Sequence, residues 1–60
     1  MIVKNFIGSD KQRAIRKALN YWYKNFVDNC TMVEFFSRCV WKKEGVNFIV
    51  IYRGPAPEDK

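Results

Sequence analysis

The chain opens on an apolar, β-branched and aromatic stretch, Ile2-Val3-Lys4-Asn5-Phe6-Ile7, which predicts a strand over residues 1–7. Gly8 ends it. Ser9-Asp10-Lys11-Gln12 has the form of a capping box, with the Ser9 hydroxyl as N-cap acceptor, Gln12 reaching back and Asp10 suited to the helix dipole. Behind it Ile15, Ala18, Leu19, Trp22 and Phe26 recur at helical spacing, which predicts a helix from about Asp10 to Val27 that ends near Asp28-Asn29.

From Thr31 to Arg53 the pattern reads as a long β-hairpin turning at Lys42-Lys43-Glu44-Gly45, where Gly45 can take a positive φ. With Trp41 opposite Val46, one face gathers Val33, Phe35, Cys39, Trp41, Val46, Phe48, Val50 and Tyr52, and Glu34 falls opposite Arg53. A second reading stays open for 31–40. Thr31-Met32-Val33-Glu34 is also a capping box, so residues 32–39 can form a short helix. The expected fold class is α+β, a two-layer β-α-β-β domain over residues 1–54. Its three-stranded antiparallel sheet carries one long helix on one face, and residues 55–60 form a flexible tail.

One helix covers one face of such a sheet. The other would carry Met32, Phe36, Val40, Ile49 and Ile51, rimmed by Glu34, Arg38 and Arg53. A contiguous apolar patch of that kind marks an interface. The expectation is self-association, as a homodimer or higher oligomer, through Phe36, Val40, Ile49 and Ile51. Size points the same way: a 60-residue chain buries only about 60% of the surface its unfolded form exposes.

Charge adds a second surface. Eleven Lys and Arg against six Asp and Glu give a net +5, which favours an acidic protein face or nucleic acid as partner. Arg13, Lys17, Asn20 and Lys24, with Arg16 at the edge, form one line along the helix opposite the apolar stripe. Arg13, Arg16, Lys17 and Lys24 are therefore the candidate contacts to an acidic partner, with Lys42 and Lys43 at the hairpin tip as possible additions. The same pattern also suits a solvated helix face with no partner at all.

Candidate chemistry is sparse. There is no histidine, and Cys30 and Cys39 are the only cysteines, too few for a zinc site. They read as two buried free thiols, with a single disulfide left open. Asp10 and Asp28 fall at opposite helix ends, about 27 Å apart at about 1.5 Å per residue, and Glu44 lies at the hairpin tip. No catalytic, metal or cofactor site is expected. No apolar run approaches the ~20 residues of a membrane span, and no signal peptide is evident, so a cytoplasmic protein without a membrane partner is expected.

The element order and the Gly8-Ser9 strand-to-helix junction loosely resemble the dodecins, small β-α-β-β proteins that assemble into flavin-storing shells. The resemblance implies only that such a fold can oligomerise through its sheet, and no flavin is expected. The sequence thus points to a non-enzymatic interaction protein. A stoichiometric inhibitor or regulator of another macromolecule fits best, and a virus- or mobile-element-encoded protein acting on a host factor is one setting. The alternative is a small nucleic-acid-binding module that uses the same basic helix face.

Overall fold

The computed structural model describes residues 1–57. Its elements are β1 (Ile2–Gly8), α1 (Lys11–Asn25), α2 (Met32–Ser37), β2 (Cys39–Glu44) and β3 (Asn47–Gly54). The strands form an antiparallel sheet in the order β1-β3-β2, with both helices on one face. The expected α+β class and the three-stranded sheet with a long packed helix are therefore present, with a second helix added. Residues 58–60 of the expected tail lie outside the described residues.

Helix α1 starts one residue later than the capping-box pattern suggests. Asp10, not Ser9, is the N-cap: its carboxylate accepts the Arg13 backbone N–H at 2.9 Å. The helix also rolls relative to the expected stripe. Ala14 and Ala18 are fully buried, whereas Ile15, Leu19 and Trp22 are only half-buried. Small residues face the sheet because the backbones approach closely: a Cβ on Gly8 would lie 2.5 Å from the Ala14 nitrogen.

Residues 31–38 are the main correction. The expected strand is a capped helix. The Glu34 N–H donates to Thr31 Oγ1 and the Thr31 N–H donates to Glu34 Oε1, each at 3.1 Å. The sheet explains why the helix prevails. Cys39 pairs with Tyr52, Trp41 with Val50 and Glu44 with Asn47. Extended in that register, Phe36 and Glu34 would face Pro55 and Pro57, which have no N–H to give. As a helix, the segment sends Phe35 into the core and leaves Val33 75% exposed. The expected Glu34–Arg53 cross-strand pair does not form, because Glu34 is occupied at the cap.

The hairpin turn is also tighter than expected. Gly45 and Val46 form a two-residue loop in which Gly45 has φ 58° and Val46 does not have positive φ, the pattern of a type II′ turn. Trp41 therefore faces Val50 instead of Val46, and Val46 sits 82% exposed at the tip. The slip is an even number of residues, so Cys39, Trp41, Phe48, Val50 and Tyr52 still share the helix-side face.

The core is aromatic. Phe35 stacks on Tyr52 with centroids 4.5 Å apart and planes 5° from parallel, and Phe26 sits 5.3 Å from both. The Tyr52 hydroxyl donates to the Pro55 carbonyl at 2.8 Å. Cys30 and Cys39 are free thiols, each half-buried.

Truncation tests this arrangement. Phe35→Ala should cost about 3–5 kcal/mol, comparable to the whole stability of so small a domain, and abolish the cooperative thermal transition seen by circular dichroism. Thr31→Ala should cost about 1 kcal/mol as a lost cap. A strand at 31–37 would leave that variant's melting temperature unchanged.

Candidate functional site

Three surfaces remain once the core is accounted for. The first is the sheet face that the helices do not cover. Alternation along the strands places Val3, Asn5 and Ile7 of β1, Ile49, Ile51 and Arg53 of β3, and Val40 and Lys42 of β2 on it. Ile49 lies between Ile7 and Lys42, and Ile51 lies between Asn5 and Val40. Val3, Ile7 and Val40 are exposed, and Ile49 and Ile51 are half-buried. Three of the four expected self-association residues, Val40, Ile49 and Ile51, thus share this face. Phe36 does not. It sits on α2 at the covered side, edge-on to Phe35 at 5.4 Å, because residues 32–37 are helical. Met32 leaves the face for the same reason. Val3 and Ile7 take their place, and only the true register of β1 against β3 could have revealed them. Charge is unevenly spread here: Arg53 lies at one end, while Lys42 and Glu44, paired at 2.9 Å, lie at the other.

The second surface is the basic side of α1. Arg13, Arg16, Lys17 and Asn20 line a depression of about 770 Å³ with Gly8, Ser9 and Asn47. Lys17 Nζ donates to the Ile7 carbonyl at 2.7 Å, which ties α1 to β1. The Arg13 guanidinium lies 3.5 Å from Asp10, an exposed pair that contributes little to stability. Lys24 is in the last turn of α1 and does not join the depression. The structure therefore brings together three of the four expected cationic contacts.

The third surface was missed in the sequence, where Trp41 was assigned to the core face. It is on that face, but β2 is an edge strand and α1 packs over β1 and β3, so Trp41 stays 42% exposed. Phe36 backs it, with centroids 6.4 Å apart and planes 18° from parallel, and Lys11 Nζ lies 5.7 Å from the ring centroid. Lys43 is two residues further along the same face of β2, beside Phe48. A lysine-rich hairpin tip next to a tryptophan was the available signal.

Four titratable groups are displaced from their ordinary ranges. The backbone N–H and hydroxyl of Thr31 hold the Glu34 carboxyl below its ordinary range. Burial raises the Tyr21 and Tyr52 phenols and pushes the Cys39 thiol up to about 11. No group of three His, Cys, Asp or Glu side chains among the described residues could hold a metal ion, and no helix among them is long and apolar enough to cross a membrane. The chain matches no protein-family model, no curated protein and no solved structure.

A thiol this basic is almost wholly protonated at pH 8, and only the thiolate alkylates. Cys39 should react with iodoacetamide on the order of 100-fold more slowly in the folded protein than in urea. Site-resolved mass spectrometry measures this directly, and equal rates would mean that burial does not suppress the Cys39 thiolate.

Proposed function

We propose that this chain is a non-enzymatic interaction protein that pairs with a second copy through its uncovered sheet face and regulates an acidic macromolecule held by its basic side. The observation that carries this reading is the apolar set Val3, Ile7, Val40, Ile49 and Ile51 on one side of a two-layer fold. Five apolar side chains share that face with Asn5, with Arg53 at one end and Lys42, beside Ile49, and Glu44 toward the other, an apolar patch with a charged border of the kind interfaces use.

A second copy fits better than an arbitrary partner because the face is self-complementary. A two-fold axis across the strands would set Arg53 of each copy against the Lys42–Glu44 end of the other, where Glu44 would share its carboxylate between Lys42 and the incoming Arg53, the reciprocal pairing of an isologous interface. Burial of the five apolar side chains on both copies would add the core that so short a chain lacks. The basic depression borders the pairing face at Ile7 and Asn47, while Arg13 and Arg16 on its helix side are exposed and can meet an acidic partner in each copy. The chemistry of the chain supports binding over catalysis: Asp10 and Glu34 are engaged as helix caps, and the thiol of Cys39 is held protonated.

Sedimentation equilibrium on the wild-type protein and on Ile51→Asp tests the pairing. The wild type should run at twice the 7.2 kDa chain mass at micromolar concentration, and the variant at the monomer mass with its helical signal retained. A wild-type monomer at 100 µM would remove the second copy from this reading.

A further inference from the structure

We infer that Trp41, with Lys11 and Lys43, is a stacking platform for a base of single-stranded nucleic acid. The inference rests on the reading that the basic side binds an acidic macromolecule, and names its chemistry.

Four observations support it. The indole is 42% exposed although the core is built of aromatic rings. Phe36 lies nearly parallel to it with ring centroids 6.4 Å apart, an offset contact that joins the indole to the edge of the core. Lys11 stands on the ring at 5.7 Å as an exposed cation–π contact, one that an incoming base can displace and then use as a phosphate partner. Lys43 supplies a second cation on the same strand and face. The two carboxylates at this end of the fold are engaged elsewhere: Asp10 accepts from the Arg13 backbone and lies beside its guanidinium, and Glu44 pairs with Lys42, whose side chain belongs to the opposite face.

The ligand follows from the chemistry. An exposed aromatic face accepts any base, because every base has a π-face, but only if the base is unstacked. Cations beside the ring then hold the phosphates on either side. A duplex offers the phosphates without the free base, and an acidic peptide offers charge without the ring. The platform therefore selects a single strand, with little sequence preference.

Fluorescence anisotropy of a labelled ten-nucleotide oligothymidylate tests this, with a labelled hairpin duplex and a polyglutamate of equal charge as comparators. The single strand should bind most tightly. Trp41→Ala should weaken its binding roughly 5- to 150-fold, the loss expected for one stacked base, without changing the salt slope, and Trp41→Phe should recover most of the affinity. Lys43→Gln should instead flatten the slope of log K against log salt by about 0.7. Circular dichroism confirms that each variant is folded. If Trp41→Ala binds the strand as wild type does, or if polyglutamate binds equally well, the platform is refuted while the acidic-partner reading stands. If none of the three polyanions binds at low salt, both readings fall.

Discussion

The contact among Phe26, Phe35 and Tyr52 is the constraint on which the rest of the structure depends. These rings come from the end of α1, from α2 and from the central strand β3, and the stacked Phe35–Tyr52 pair lies at their centre. Offset and tilted ring contacts at these distances each add about 0.5–1.5 kcal/mol beyond area burial, a large contribution for a domain of marginal size. Phe35 takes this position from α2. With 32–37 helical, β2 begins at Cys39 and is a short edge strand. α1 then packs over β1 and β3 through Ala14 and Ala18, and Trp41 is left at the border of the covered face. The open sheet face and the exposed indole both follow from where three rings meet.

Local signals in the sequence were reliable where they were short-ranged and unopposed. The strand at the N-terminus, the helix that follows it and the glycine turn at 45 are legible from β-branched content, helical period and turn chemistry. The segment 31–38 carried two signals of similar weight. Its β-branched and aromatic content suggested a strand, and Thr31 with Glu34 suggested a helix. The deciding factor was not in the segment at all but in Pro55 and Pro57, which close the only position where a partner strand could pair with it. The self-association set was legible to the same degree: Val40, Ile49 and Ile51 keep their face under an even register slip, and Phe36 does not survive the change from strand to helix. The roll of α1 was hidden for a different reason. Helical period predicts an apolar arc, but which part of that arc touches the sheet is fixed by how near the backbones come, and that depends on Gly8.

Charge and shape divide the surface in a way composition could not reveal. The net +5 is spread along the whole chain. Folding gathers Arg13, Arg16 and Lys17 around one depression and sets Lys11 on Trp41, while Lys42 turns to the other face and is neutralised by Glu44. The apolar side of the sheet carries two cations, Arg53 at one end and Lys42, paired with Glu44, toward the other. The apolar sheet face and the basic depression differ in chemistry and meet at Ile7 and Asn47, which line the depression.

The hydrogen bond from Tyr52 to Pro55 fixes where the folding unit stops. Tyr52 is wholly buried, and its hydroxyl has its acceptor on a residue beyond the last strand. A chain cut at Gly54 would keep every strand and helix yet strand a phenol in the core without that acceptor, at a cost of about 1–3 kcal/mol. The C-terminal boundary of the folding unit is therefore set by a side chain inside the sheet, and a fused sequence has to begin after Pro55.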